Sequence, residues 1–405
     1  MVRNFTVLFC AQIFVCFGGL SIPPLIPFIQ PELNLNYTQV GSIMGFLYFG
    51  AVIMSLPAGW LTDKLGVKRM VLLCQVFIGF FVVLFSLIGS YFMAVLFAFG
   101  IGLGYGMVNP PTTKGIMTLV KREKRGMAMS VKQTGVPIGS AIAAGLLPPL
   151  ALRFSWGFSF VLAGIIIILA GLLSPVLYQQ SREKADSFPI DSEEASQINP
   201  KKPYQIKNII LLGIGGAFCS LVQIALVTYI ILYLRDAKKL DLVLAGFCLT
   251  LVNIGGILGR IFWGVMSDWL FKGSRKGTLK LIVSLIFFVS LVLGLNLHLS
   301  LALLFFIVFL FGFSAIGWNG VYHAFVGELA GKEMAGKAIG LSMTITFLGN
   351  MIGPILFGKI IDATSSYSLA WYFLCLSMVG AFILFSVIHE EKASTSMEPL
   401  RFVNG

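Results

Sequence analysis

The chain alternates between long apolar runs and short polar turns over nearly its whole length. A helix that crosses a bilayer needs about 20 mostly apolar residues. Twelve runs approach or exceed that length, at roughly 5–29, 38–61, 70–89, 91–118, 127–152, 156–179, 207–235, 243–268, 277–297, 300–328, 337–363 and 367–389. We therefore predict an all-α membrane protein with twelve transmembrane helices.

One polar segment is much longer than the other turns. Gln180 to Gln205 contains nine charged residues and divides six apolar runs from six. A segment so polar cannot bury enough apolar area to fold on its own. The pattern predicts an N-terminal six-helix bundle at 1–179, a linker at 180–206, a C-terminal six-helix bundle at 207–389 and a tail at 390–405.

The basic residues indicate how the helices are oriented. With the N-terminus inside, 21 of the 29 lysines and arginines fall on the cytoplasmic side, five on the opposite side and three within the membrane. Loops that stay in the cytoplasm are enriched in lysine and arginine. We expect both termini and the linker to be cytoplasmic, in a multi-pass protein of the cell (inner) membrane.

The composition argues against several classes of protein. Only 11% of the residues are charged and 57% are hydrophobic, whereas a soluble domain has about a quarter charged residues. The net charge of +12 is spread over many short loops, so we expect no nucleic-acid partner. The six cysteines lie singly in apolar runs, which predicts neither a metal site nor a disulfide framework. No nucleophile motif or nucleotide-binding loop occurs, so we predict no enzyme activity and no cofactor.

A short charged turn between the second and third runs has a degraded copy 205 residues later. It reads Gly59-Trp-Leu-Thr-Asp63-Lys64-Leu-Gly66-Val-Lys68-Arg69, and the copy begins Gly264-Val-Met-Ser-Asp268. Glycines allow helix ends to approach closely and the backbone to reverse. We predict a gating role for Gly59, Asp63, Gly66, Lys68, Arg69, Gly264 and Asp268.

A second internal match has an offset of 210 residues. It places Asn109 on Asn319 and Gly139 on Gly349. Two halves of six helices with the same orientation are related by an axis along the membrane normal, as in transporters built from parallel repeats.

The doubled six-helix plan and the Gly59–Arg69 turn resemble the major facilitator superfamily. That resemblance implies two six-helix bundles around a central cavity, with alternating access. It also implies that the first and fourth helices of each half mostly line the cavity, while the second and fifth form gates. We expect Asp63 to hold the outward-open arrangement, by capping a helix or by pairing with a basic residue.

Four ionisable residues fall at membrane depth: Lys114, Lys132, Arg260 and His323. The acidic residues can all be placed in loops or at helix ends. An uncompensated charge in the bilayer costs roughly 2.5–3.5 kcal/mol even on the lenient insertion scale. If no internal carboxylate pairs with these cations, an anionic substrate supplies the missing charge.

Arg260 is the strongest of the four candidates. A helix-8 arginine four residues before a glycine resembles the monocarboxylate and oxalate/formate branches of the superfamily, where it binds the substrate carboxylate. A planar guanidinium pairs with a carboxylate through two parallel hydrogen bonds. Gly256 stands where the monocarboxylate branch has an aspartate. The alternative is that Arg260 bonds to carbonyls and braces a gate.

The complete predicted substrate site combines these cations with nearby polar and aromatic residues. It consists of Arg260, Lys114, Lys132, Gln133, Asn109, Asn319, His323, Trp318, Tyr322 and Asn253. The cations, the histidine and the two repeat-related asparagines, Asn109 and Asn319, each have a structural alternative. The lysines can reach the interface, the histidine can bond a carbonyl, and the asparagines can satisfy carbonyls that Pro110-Pro111 leave free.

These observations predict a secondary active transporter that moves a small organic anion, in particular a carboxylate, by alternating access. The expected partners are that anion, the lipid bilayer and a proton as candidate coupling ion, and we expect a monomer. The alternative is an exporter of drugs or hydrophobic metabolites. Exporters of that kind generally use intramembrane carboxylates, which this chain lacks.

Overall fold

The computed structural model describes residues 2–120, 125–179, 203–271 and 274–389. These ranges form thirteen α-helices: α1 (Val2–Gly19), α2 (Ile22–Glu32), α3 (Tyr37–Phe85), α4 (Tyr91–Met107), α5 (Asn109–Leu119), α6 (Arg125–Arg153), α7 (Trp156–Leu177), α8 (Pro203–Asp236), α9 (Leu242–Trp269), α10 (Arg275–Gly294), α11 (Leu301–Ala315), α12 (Asn319–Thr364) and α13 (Tyr367–Val387). Most of the predicted linker and the whole predicted tail lie outside the described residues, as do the basic residues at 121, 122, 124 and 272.

The number of membrane spans follows from the lengths of these helices. Eleven stretches of the described ranges are long and apolar enough to cross a membrane. One of them, Tyr37–Phe85, has 49 residues, or about 73 Å of helix, more than twice the thickness of a bilayer core. Gly66 interrupts it with a φ of 79° and a ψ of 160°, so the stretch contains two spans. The prediction of twelve transmembrane helices is confirmed.

Three spans are interrupted by a short helix break. The first is broken between α1 and α2, the fourth at Val108 and the tenth at residues 316–318. The last two breaks come immediately before Asn109 and Asn319, the residues that the internal repeat aligns. The break at Val108 is followed by two prolines in the first turn of α5, and prolines cannot donate helical hydrogen bonds. The repeat therefore includes a matching discontinuity in each half.

The same helix crossing recurs in both halves. α3 packs on α4 in the first half and α9 packs on α11 in the second. A Cβ atom on Gly102 would overlap the carbonyl of Leu47, and one on Gly312 would overlap the carbonyl of Val252. Gly102 and Gly312 again differ by 210 positions. Small residues at these crossings let the helix backbones approach closely, which is how helices associate in a bilayer.

The two halves meet along α6 with α9 and along α3 with α12. We name the ends of the bundle after two residues: the Tyr37 end, where α3 begins, and the Asp63 end, where Gly66 breaks it. Gly41, near the Tyr37 end, packs directly on the Pro354 carbonyl of the other half. Near the Asp63 end, a Cβ on Gly59 or Gly264 would meet no atom of the described residues within 4 Å. The expectation that Gly59 allows a close approach of helix ends is therefore wrong for this arrangement.

Candidate functional site

Arg260 lies in α9 at the boundary between the two halves. Its Nη1 donates to the main-chain oxygen of Gln133 in α6, at 2.5 Å, and its Nε donates to the oxygen of Ile316, at 3.3 Å. Among the described residues it forms no ion pair. The geometry matches the alternative in which this arginine bonds to carbonyls, and it leaves further N–H groups of the guanidinium available for a ligand.

Lys132 lies in α6 and its side chain is 0% exposed. The ammonium donates to Asn109 Oδ1 at 2.9 Å and to Thr113 Oγ1 at 3.2 Å. Both partners are neutral, so a full positive charge stays enclosed, with one of its three donors available. The alternative in which Lys132 reaches the membrane interface is wrong, because the side chain is completely enclosed.

Lys114 is in a different environment. Its Nζ lies 2.6 Å from Asp63 Oδ1, and the two side chains are 44% and 63% exposed. The assumption that no carboxylate pairs with this lysine is therefore wrong. The ion pair connects Lys114 to the predicted gating turn.

Asn319 connects Arg260 to the helix break in the tenth span. Its Nδ2 donates to the Ile316 oxygen at 3.2 Å, the same oxygen that Arg260 contacts, and to Gln223 Oε1 at 3.1 Å. The Trp318 indole donates to the same Gln223 oxygen at 3.0 Å. Two donors thus fix the orientation of the Gln223 amide and leave its N–H groups for another partner.

Gln12 has the corresponding position in the first half. Its amide oxygen accepts from Thr112 Oγ1 at 3.4 Å and its nitrogen donates to Cys16 Sγ at 3.3 Å. Gln12 and Gln223 are 211 positions apart and each contacts the helix that follows the break. Neither was predicted from the sequence, although a single glutamine in the first apolar run of each half, close to the repeat offset, was a usable signal.

The remaining predicted site residues differ in their surroundings. The His323 Nδ1 is enclosed and has no hydrogen-bond partner among the described residues, and its ring lies 5.4 Å from that of Tyr322. The Tyr322 hydroxyl lies 3.1 Å from Thr346 Oγ1. Asn253 donates to the Leu249 carbonyl of its own helix at 2.8 Å. Thus the Asn253 amide is occupied by a carbonyl of its own helix, whereas the His323 Nδ1 has no partner among the described residues.

We call Gln12, Asn109, Thr113, Lys132, Gln223, Arg260, Asn319 and His323 the central cluster. The acidic residues whose side chains are described all lie near the ends of spans: Glu32, Asp63, Asp236, Asp241, Asp268, Glu328 and Asp362. The central cluster therefore combines two fixed cations, one from each half, with neutral hydrogen-bonding groups.

At the Asp63 end the described ion pairs join residues of the same half. Asp63 pairs with Lys114, and Arg275 contacts both Asp268 at 2.5 Å and Glu328 at 2.9 Å. The prediction that Gly66 allows the backbone to reverse is confirmed by its positive φ. Lys68 is half-buried and Arg69 is exposed, and their gating role stays a prediction.

At the Tyr37 end a carboxylate of one half caps a helix of the other. Asp362 accepts hydrogen bonds from the main-chain nitrogens of Tyr37 and Thr38, at 2.9 and 2.7 Å, and from Thr38 Oγ1 at 2.5 Å. Free N–H groups and a partial positive charge at a helix N-terminus favour an anion there. Sequence reasoning missed this contact, which spans 324 positions or more.

Arg235 forms a second connection at the same end. It donates to the Pro27 oxygen at 2.9 Å and to Gln30 Oε1 at 2.8 Å, both in the first half, and pairs with Asp236. Asp236 also accepts from the hydroxyls of Tyr37 and Tyr367, at 2.9 and 2.8 Å. The bundle is therefore closed at the Tyr37 end by a network that joins both halves.

Two repeat-related membrane bundles with polar groups enclosed between them are the architecture of a transporter. The chain belongs to the Major Facilitator Superfamily, whose family model matches residues 8–354. It is a multi-pass membrane protein and a transporter, not an enzyme.

Curated relatives match over most of the chain. The probable sulfoacetate transporter SauU of Cupriavidus necator is 24% identical and covers 89% of this chain and 87% of its own. The probable galactarate/D-glucarate transporter GudP of Bacillus subtilis is 25% identical, with 89% and 85% covered. The probable L-galactonate transporter of Escherichia coli is 24% identical, with 87% and 82% covered.

A solved structure confirms the fold. The bacterial homologue of the human lysosomal transporter Spinster, described as inward-facing and occupied, superposes with a TM-score of 0.71. It is 17% identical, and the match covers 95% of this chain and 94% of that one.

Proposed function

We propose that this protein is a secondary active transporter of a small organic anion, with a carboxylate or related acid group as the recognised feature. The observation that carries the proposal is the pair of fixed cations, Lys132 and Arg260, held between the halves by neutral partners. The three relatives are described as probable transporters of sulfoacetate, of galactarate and D-glucarate, and of L-galactonate. All of these compounds are acids, which supports an anion as the substrate.

The central cluster suggests how such an anion is held. One oxygen of the acid group accepts from the Arg260 guanidinium and another from the third donor of Lys132. Gln223 N–H groups and the free His323 nitrogen provide neutral contacts to hydroxyl or carbonyl groups of the substrate. Because the cations belong to different halves, an anion bound between them attracts the halves toward each other. This attraction favours the transition from the arrangement closed at the Tyr37 end to the one closed at the Asp63 end.

In this arrangement the Tyr37 end is closed, so the substrate enters and leaves the central cluster from the Asp63 end. We propose that the Asp63 end faces the cytoplasm of the cell (inner) membrane, that both termini lie there, and that 180–206 links the bundles 1–179 and 207–389. The bias of 21 to five basic residues supports this orientation.

The orientation can be tested by cysteine labelling. We expect that a single cysteine at Ser196 is not labelled by an impermeant maleimide in intact cells and is labelled after permeabilisation. A cysteine at Lys239, in the loop after α8, serves as the control and should react from outside. The reverse pattern would contradict the orientation.

The substrate class can be tested in proteoliposomes. We expect uptake of at least one labelled acid from a panel of sulfoacetate, D-glucarate, galactarate and L-galactonate, with and without a pH gradient. A change of rate with the gradient identifies the proton as the coupling ion. Transport of cationic or hydrophobic compounds, with no acid transported or competing, would contradict the proposal and favour an exporter.

The gating role of Asp63 can be separated from its ion pair. We expect Asp63→Asn to slow transport while expression and substrate affinity stay near wild type, because Asp63 acts in the opposite arrangement. Lys114→Gln removes the same exposed pair, which contributes about 0.2–1 kcal/mol, and should change the rate much less. Equal rates for wild type and Asp63→Asn would contradict the gating role.

A further inference from the structure

The contact between Arg260 and the Gln133 carbonyl has a local cause in the sequence. In an α-helix the carbonyl of residue 133 accepts from the N–H of residue 137. Residue 137 is a proline inside α6, and proline has no N–H. The Gln133 oxygen therefore lacks its helical donor, and the Arg260 guanidinium of the opposite half occupies it.

The second carbonyl that Arg260 contacts is freed in a different way. Ile316 is the first residue of the turn that separates α11 from α12. Its oxygen accepts from Asn319 Nδ2 and from Arg260 Nε, both of them side chains. The guanidinium thus lies between two carbonyls that the helix backbones leave available, one in each half.

Neither Arg260 nor Pro137 has a counterpart in the other half of the internal repeat. The position equivalent to Arg260, 205 residues earlier, is Ser55, and the position equivalent to Pro137, 210 residues later, is Phe347. The packing that both halves share therefore needs neither residue. The proline and the arginine occur together, on the two helices that face each other across the boundary.

We propose that Pro137 is a positioning residue for transport: by leaving the Gln133 carbonyl without a helical donor, it holds Arg260 across the boundary when no substrate is bound. The anion then takes Arg260 from that carbonyl, a step that rests on the proposed function. Substrate binding thereby removes a bond between the halves that belongs to the arrangement closed at the Tyr37 end. The chain uses one main-chain oxygen both as a substitute ligand and as a latch.

The latch can be tested without any substrate. Pro137→Ala restores an N–H at residue 137 and gives the Gln133 oxygen its helical partner. Pro149→Ala restores an N–H at an exposed position of the same helix and is the matched control. Spin labels on cysteines at Arg153 and Lys359, exposed residues of opposite halves at the Tyr37 end, report the separation of the halves after the native cysteines are replaced.

We expect Pro137→Ala to lower the population of the short inter-label distance by several fold and Pro149→Ala to leave it unchanged. In an Arg260→Met background, Pro137→Ala should have no further effect, because the guanidinium that it releases is gone. An equal effect of Pro137→Ala in both backgrounds would show that the proline only bends α6, and would overturn the proposal. An unchanged distance distribution in Pro137→Ala alone would overturn it as well.

The substitute-ligand role is tested by binding of sulfoacetate and D-glucarate to the purified protein. The Gln133 carbonyl competes with the substrate for Arg260, so weakening that contact should tighten binding of an acid that wild type binds, by about tenfold or more if one charge-assisted hydrogen bond is lost. Unchanged or weaker binding in Pro137→Ala would overturn this role. Absence of acid binding by wild type, with the distance result intact, would instead refute the proposed function and leave the latch standing.

Discussion

Arg260→Lys is expected to lose about tenfold or more in affinity for the substrate anion, although it keeps the positive charge. A lysine ammonium is a point charge and cannot reproduce the planar fork of a guanidinium. It also cannot hold the Gln133 and Ile316 oxygens, which lie in different halves, with the same geometry. The measurement is substrate binding to purified protein, together with initial rates of uptake in proteoliposomes.

Arg260→Ala should lose more, about one to two decades in binding, because a hydrogen bond to a charged group contributes roughly 1.5–3 kcal/mol. The variant should still fold. Loss of an unpaired cation relieves a desolvation cost, which offsets the cost of leaving the Gln133 oxygen without a donor. Arg153→Lys is the matched control, since Arg153 is exposed at a helix end. Wild-type affinity in both Arg260 variants would rule out its role as an anion ligand.

The membrane spans could be predicted from the sequence because apolar length alone determines them. The break at Gly66 and the repeat could also be predicted, since a charged turn and aligned glycines and asparagines are local signals. The same offset of 210 relates the two helix breaks, at Asn109 and Asn319, and the packed glycines Gly102 and Gly312, but we predicted none of these from the sequence. The spans, the break at Gly66 and the repeat can be predicted without knowing which helices pack against each other.

The contacts of the site could be predicted only in part. Lys132 and Asn109 were expected in one site and form a hydrogen bond, and Asn319 shares a carbonyl with Arg260. The pairing of Lys114 with Asp63 was not expected, because it depends on how α5 packs beside α3. Residue spacing within one helix carries no information about such a neighbour.

The closure of the Tyr37 end is the part that sequence reasoning could not reach. Asp362 and Tyr37 are 325 positions apart, and each lies at a helix end where a polar residue is ordinary. Their hydrogen bond depends on how the two halves pack against each other, which the sequence does not indicate. The contact then suggests a specific role for Asp362 in keeping this end closed.

Asp362→Ala is expected to shift the transporter away from the arrangement closed at the Tyr37 end, by about tenfold in the ratio of the two arrangements. The carboxylate accepts three hydrogen bonds from the start of α3. Because Asp362 is exposed, water screens these bonds, and together they are worth about 1–2 kcal/mol. Distances between spin labels at Arg153 and Lys359 measure the ratio directly, and the longer distance should gain population.

Asp241→Ala separates this effect from helix capping in general. Asp241 is also an exposed aspartate between spans at the Tyr37 end, and it accepts from the Leu244 nitrogen at 2.9 Å, within its own helix and its own half. Loss of that cap destabilises α9 locally by about 0.5–2 kcal/mol, but it breaks no bond between the halves and should leave the distance distribution unchanged. If both variants changed the distances equally, or if Asp362→Ala changed nothing, Asp362 would not be the residue that keeps this end closed. A shift confined to Asp362→Ala shows that one carboxylate of the C-terminal half holds the first turn of α3 in place. Substrate release at the Tyr37 end must then break those three hydrogen bonds before the halves can separate.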